Sequence, residues 1–215
     1  IKLTTDTETE INSQSSKVSA ENIKEFFGTL EGLNSEDTVF LSGNIIPGME
    51  SDDFVKIAEK VKQKGAKLVV DSNKDMVLNT LKYKPFIVKP NEFELGEMFG
   101  VKPNSVEDIK KYARKLQEMG AQNVLVSRGS KGAILFTSNG DVLGANIAKG
   151  KVVSTIAAGD SMLAMFVAKY DETKDFKLSL QYASAAGGAT SFSAGVGKKE
   201  LIEELLVQIK VEEVL

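Results

Sequence analysis

The chain has 215 residues, 42% of them hydrophobic and 27% charged, with a formal net charge of −3. That is ample apolar material for one compact domain, while the interspersed charges offer no basic face for nucleic acid and no apolar run long enough for a bilayer. Cysteine and histidine are both absent, which excludes disulfides, thiolate nucleophiles, Ser-His-Asp triads and most transition-metal sites. Acid–base chemistry therefore falls to Asp, Glu, Lys or Tyr, and any metal is expected to be a hard ion such as Mg2+ on oxygen ligands. The first residues do not resemble a signal peptide, so a cytoplasmic protein is the simplest expectation.

In chain order, residues 1–12 alternate like a small hairpin standing apart from the rest of the chain, an appendage with unpaired edges. Thr38-Val39-Phe40-Leu41 reads as a strand leading to Ser42-Gly43-Asn44 and a turn at Pro47-Gly48. Ser51 is expected to cap a helix running to about Gly65, with Phe54, Ile57, Ala58 and Val61 on one face. Lys67-Leu68-Val69-Val70 is a strand ending in Asp71, and Phe86-Ile87-Val88 is another, ending in Lys89-Pro90-Asn91. A helix enters at Ser105, has Asp108 three residues on, and stops before Gly120. Val124-Leu125-Val126 leads to Ser127-Arg128-Gly129, and residues 133–136 and 142–147 form a hairpin around Asn139-Gly140. The β-branched pair Val152-Val153 reads as a strand turning through small residues into a helix over Met162 to Tyr170.

Strands alternating with helices imply a largely parallel sheet, and ligands bind such sheets at the carboxyl ends of the strands. Asn44, Asp71, Lys89, Asn91, Ser127 and Asp160 all fall there. Ala157-Ala158-Gly159-Asp160 places small residues and one carboxylate at a helix N-terminus, where free N–H groups accept an anion. Asp160 there is either a dipole-complementing acid or a base beside an anion hole. Asn91 and Glu94, three apart, are either a capping box or a phosphate and metal pair. The Ser127–Gly132 loop lacks the spacing of a Walker loop or a dinucleotide fingerprint, and alone reads as a plain turn. The small residues around Ser184 and Gly188 permit either close helix packing or a helix backing a flat ligand.

Together these segments resemble the PfkB-type carbohydrate kinases of the ribokinase-like fold, a three-layer sandwich. Within that family the bacterial 1-phosphofructokinase and tagatose-6-phosphate kinase branch is the one resembled. The resemblance runs from Glu8-Thr9-Glu10-Ile11-Asn12 through the Asn44 and Lys89-Pro90-Asn91 segments to residues 154–161. It implies ATP-dependent phosphorylation of a sugar phosphate, first of all fructose 1-phosphate to fructose 1,6-bisphosphate, with tagatose 6-phosphate as an alternative acceptor. A catalytically silent nucleotide-binding relative is the second reading, and an NAD-type oxidoreductase lacks its glycine fingerprint.

By that resemblance Asp160 is the general base and the amides of Ala157, Ala158, Gly159 and Asp160 form the anion hole. Lys89 and Asn91 meet ATP and its phosphates, and Ser127, Gly129, Gly132, Ser184 and Gly188 line the nucleotide. Asn44 lies near the sugar phosphate, where relatives carry Ser, and Glu94 is linked to Mg2+. A monovalent cation is expected near Ser154, Ile156 and Ser193. Residues 1–12 are expected to be part of a β lid, through which a homodimer forms, and residues 13–215 the nucleotide-binding and catalytic domain without the segment that completes the acceptor site. Ala157 stands where the family signature has Gly. A positive φ at that point costs a non-glycine residue roughly 1 kcal/mol.

Overall fold

The computed structural model describes residues 16–214 and, for the backbone, residues 2–4 and 8–10. The strands β1 (Lys2–Thr4) and β2 (Glu8–Glu10) pair antiparallel in a two-stranded sheet of their own. The remainder of the expected hairpin, residues 1, 5–7 and 11–12, lies outside the described residues.

Seven further strands make the main sheet: β3 (Thr38–Gly43), β4 (Lys67–Ser72), β5 (Ile87–Val88), β6 (Asn123–Ser127), β7 (Ala133–Phe136), β8 (Val142–Ala145) and β9 (Val211–Glu213). Their order across the sheet is their order in the chain. The run from β3 to β6 is parallel, and β7, β8 and β9 extend it antiparallel. The turn between β7 and β8 falls at Asn139-Gly140 as expected, with Gly140 at φ 98°.

Side chains along a strand alternate between its faces, and here each set finds its own helical layer. Leu68, Val70, Val88, Val124, Val126, Ile134 and Phe136 pack with α2 (Ser51–Gln63), α3 (Lys74–Thr80), α4 (Glu92–Phe99) and α5 (Val106–Glu118). The short helix α1 (Ala20–Thr29) sits at the edge of that layer, where Phe27 packs against it. Val69, Ile87, Leu125, Ala133, Leu135, Leu143 and Ala145 pack instead with α6 (Ala158–Thr173), α7 (Phe176–Ser191) and α8 (Lys199–Leu206). The result is the expected α/β sandwich of three layers.

Local chemistry sets the helix ends. Ser105 caps α5 by accepting from the Asp108 N–H at 3.1 Å, and Gly120 beyond its end takes φ 134°. At α2 the expectation needs correction: the cap is Glu50 rather than Ser51. The Glu50 N–H donates to the Asp53 carboxylate at 2.9 Å, which moves the cap one residue upstream. A second correction concerns Val152 and Val153, which form no strand. They lie exposed in a strap over residues 146–157, where the N–H groups of Val153 and Ser154 both donate to the Ser191 carbonyl. β-branching favoured a strand there, but one shared carbonyl is not a ladder.

Phe166 anchors α6 on the sheet and is fully buried among Val69, Leu125 and Leu180. Phe166→Ala should destabilise the protein by about 3–5 kcal/mol, read as a lowered urea midpoint at unchanged m-value.

Candidate active site

The first turn of α6 brings the main chemical groups together. Ala157 precedes the helix at φ 61°, ψ 7°, a left-handed conformation that turns the chain sharply into the helix. The Ala158 N–H donates to the Thr155 carbonyl at 3.3 Å, and the Ser161 N–H to the Ala157 carbonyl at 2.9 Å. The N–H groups of Ala157, Gly159 and Asp160 have no partner among the described residues, so three of the four expected anion-hole donors are unengaged. The Asp160 side chain is exposed and makes no hydrogen bond or ion pair among the described residues.

Beside this turn, Lys89 and Asp71 form an ion pair of 3.0 Å with side chains only 8% and 16% exposed. Burial pushes the Asp71 carboxyl above its ordinary value; Lys89 opposes that, and the charges of Glu94 and Asp160 add to it. The long Lys89 side chain ends against Gly159, its Nζ 3.0 Å from where a Cβ on that glycine would stand. A larger residue there would press on the end of the Lys89 side chain.

Asn91 and Glu94 satisfy the capping-box reading. Asn91 Oδ1 accepts from the Glu94 N–H, and Glu94 Oε2 accepts from the Asn91 N–H, both at 2.8 Å. No group of three His, Cys, Asp or Glu side chains among the described residues is arranged to hold a metal ion. The residues fit a metal that arrives with its own ligands, since one Glu94 carboxylate oxygen has no hydrogen bond among the described residues.

A cavity of about 420 Å3 opens between the β6–β7 loop, the strap and α7. Ser127, Gly129, Gly132, Gly159, Ser184 and Gly188 are on its wall, so the sequence-expected nucleotide residues of the loop and of α7 converge on one space. Gly132 cannot be replaced in this geometry: at φ 86°, a Cβ would stand 1.9 Å from the Ala145 carbonyl oxygen. Glu92 clamps the loop, accepting from Arg128 at 2.7 Å and Lys131 at 3.3 Å. Ser184 is 5% exposed, and its hydroxyl is a buried side-chain group with no hydrogen-bond partner among the described residues. Phe192 and Met162, which the sequence reading missed, also line the space. The missed signal was Gly150, whose Cβ would stand 2.5 Å from the Phe192 ring.

Asn44 stands apart. It lies beyond β3 on a different cavity, of about 350 Å3, and accepts from Asn73 at 3.2 Å.

Residues 1–202 match the family described as pfkB family carbohydrate kinase. The chain belongs to the pfkB family. It is 41% identical over 211 residues to a 1-phosphofructokinase of Bacillus subtilis, covering 98% of this chain and 69% of that protein. It is 38% identical over 174 residues to a D-tagatose-1-phosphate kinase of Bacillus licheniformis, covering 80% of this chain and 57% of that relative. Among solved structures, a Staphylococcus aureus protein described as a phosphofructokinase matches at TM-score 0.88 and 35% identity, over 99% of this chain and 69% of its own. Phosphofructokinase-2 of Escherichia coli, in complex with potassium, shares the fold at TM-score 0.86 and 21% identity, over 94% of this chain and 66% of its own. No helix among the described residues is long and apolar enough to cross a membrane.

In this pfkB chain the left-handed Ala157 is strained, and a glycine there would relieve it. Ala157→Gly should stabilise the protein by about 0.5–1 kcal/mol, since relief of the left-handed Cβ outweighs the extra freedom of the unfolded chain. The check is the denaturation midpoint, which should rise; a fall would mean that the turn is not strained.

Proposed function

We propose that this chain carries the nucleotide site and general base of a sugar-phosphate kinase. It transfers the γ-phosphoryl group of ATP to the 6-hydroxyl of a ketohexose 1-phosphate, in first place fructose 1-phosphate. The observation that carries this reading is the first turn of α6, where the unpaired Asp160 carboxylate shares a helix start with unengaged amides at the rim of a cavity. The names of the two relatives support the acceptor class. Both place a phosphate on C1 of a ketohexose, and fructose and tagatose differ only at C4, so the reacting end is common to both.

The chemistry follows from the groups present. Asp160 takes the proton of the acceptor hydroxyl as its oxygen attacks the γ-phosphorus. The new O–P bond forms in line with the breaking bond to the β-phosphate oxygen, and ADP leaves. The free N–H groups of Ala157, Gly159 and Asp160 hydrogen-bond the oxygens of the transferring group, where negative charge is concentrated. Lys89 and Asn91 serve the ATP phosphates. The loop at Ser127, Gly129 and Gly132 and the α7 face at Ser184 and Gly188 hold the nucleoside. Asn44 belongs to the acceptor side. Glu94 is the residue that would hold a Mg2+ arriving with ATP, and the ion would supply charge neutralisation on the phosphates.

Ser154, Ile156 and Ser193 are assigned to a monovalent cation. The hydrogen bonds of residues 153 and 154 to Ser191 keep those segments adjacent. The β1–β2 sheet serves as part of a lid, and its free edges pair with a second copy.

Two experiments test the reading. The complete protein should consume ATP with fructose 1-phosphate, and Asp160→Asn should lower kcat by about 10²–10⁴-fold while ATP affinity changes little. Undiminished turnover in that variant would overturn the role of Asp160. ATP binding without turnover in the unaltered protein would favour a silent nucleotide-binding relative, the alternative that the strained Ala157 raises. Ser184→Ala should weaken ATP binding by about 3–10-fold in calorimetry, because the ligand loses a partner. The same variant should melt no lower than the parent, since it removes a buried hydroxyl that has no partner in the free protein.

A further inference from the structure

We infer that Asp71 is a positioning residue for phosphoryl transfer: its carboxylate fixes the Lys89 ammonium beneath the first turn of α6, where that ammonium meets the transferring group. The inference rests on the kinase reading above. Asp71 follows Val70 at the end of β4 and Lys89 follows Val88 at the end of β5, and Val70 and Val88 are register partners. The Lys89 N–H donates to the Val70 carbonyl at 3.2 Å, so the two residues leave the sheet side by side. Pro90 holds Lys89 extended, and the side chain reaches under Gly159. Its direction is therefore set by the sheet, and its end point by Asp71.

An ammonium has three donors. One is engaged by Asp71 at 3.0 Å, which leaves two for phosphoryl oxygens held on the amides directly above. Asp71 pairs with this lysine directly, while Glu94 and Asp160 act electrostatically on Asp71. Glu94 is committed to the start of α4, and Asp160 is unpaired at the surface. Asp71 is thus the carboxylate that fixes Lys89 without competing for either role. A purely structural account would not require charge here, because a buried ion pair replaced by apolar groups of similar volume is often neutral or stabilising. Retaining a charged pair under an anion site is useful when one member must face an arriving anion.

The test is a double-mutant cycle in the complete protein: Asp71→Asn, Lys89→Met, and both together. Melting temperature, ATP affinity by calorimetry, kcat and the KM for ATP are measured for each. Asp71→Asn should lower kcat about 10²-fold, the scale of a misplaced catalytic group, with a smaller change in the KM for ATP. In the Lys89→Met background the same change should cost less than about threefold further in kcat, because Asp71 acts through Lys89. The double variant should also regain melting temperature lost in Asp71→Asn without regaining activity.

Additive losses in kcat would overturn the inference. So would activity that returns with stability in the double variant, the result of a merely structural pair. Should Asp71→Asn fail to fold, Asp71→Glu keeps the charge and displaces it by one methylene. A lowered kcat at near-parental melting temperature then supports the inference, and parental kcat overturns it. Absence of ATP-dependent phosphorylation in the unaltered protein would instead overturn the kinase reading itself.

Discussion

The close contact of α6 with α7 is the constraint on which the site depends. A Cβ on Gly187 would stand 3.3 Å from the Ala158 carbonyl oxygen and 3.4 Å from the Met162 side chain. Ala183, Ala186 and Ala189 continue the small-residue face of α7 through the same layer. With so little side-chain volume between them, the helices approach until the start of α6 lies against the C-terminal half of α7. Small residues from both helices, Ala158 and Gly159 of α6 and Ser184, Gly187 and Gly188 of α7, line the 420 Å3 space beside that crossing, where bulkier ones would fill it. One compositional choice therefore both sets the helix start in place and leaves room for a ligand beside it.

Charge is handled by the sheet rather than by these helices. The cavity wall made by the loop, the strap and α7 carries hydroxyls, amides and apolar groups, and no charged side chain is among its lining residues. Lys89 and Asp71 come instead from adjacent strand ends, where the register fixes their spacing. A flexible loop could present the same charges, but only by ordering long side chains at an entropic cost. The sheet has met that cost on folding. Apolar enclosure and fixed charge thus meet at the first turn of α6, where neither helix layer alone would supply both.

Much of this was legible in the sequence because the signals were local. Strand alternation identified β4, β6, β7 and β8, the Asn139-Gly140 turn fixed a hairpin, and Ser105 with Gly120 bracketed α5. The strand ends Lys89, Asn91 and Ser127, with Asp160, were placed by the rule that parallel sheets bind at their carboxyl ends. What was not legible depended on distant partners. Helices α3 and α8, of 7 and 8 residues, are too short for their own periodicity to stand out and hold their shape by packing. Strand β9 exists because β8 offers an edge, with Ala145 opposite Val211. The ion pair of Asp71 joins residues 18 apart in the chain, and only the register of β4 and β5 reveals it. Val152-Val153 misled for the converse reason, since a strong local preference had no partner strand to satisfy it.

The order of strands in the main sheet carries a consequence for how the chain reaches this state. From β3 to β9 each strand lies against the one made just before it. The sheet can therefore grow at one edge during synthesis, with each arriving strand meeting an edge already formed, and no early strand has to wait unpaired for a late one. Closures up to β8 are comparatively short, which favours rapid folding and limits the time that apolar edges are open to other chains, whereas β9 closes onto β8 only after the helices between them. The α6–α7 pair arrives between the last two strands. The nucleotide-sized cavity is then the last part to assemble, on a platform that is already nearly complete.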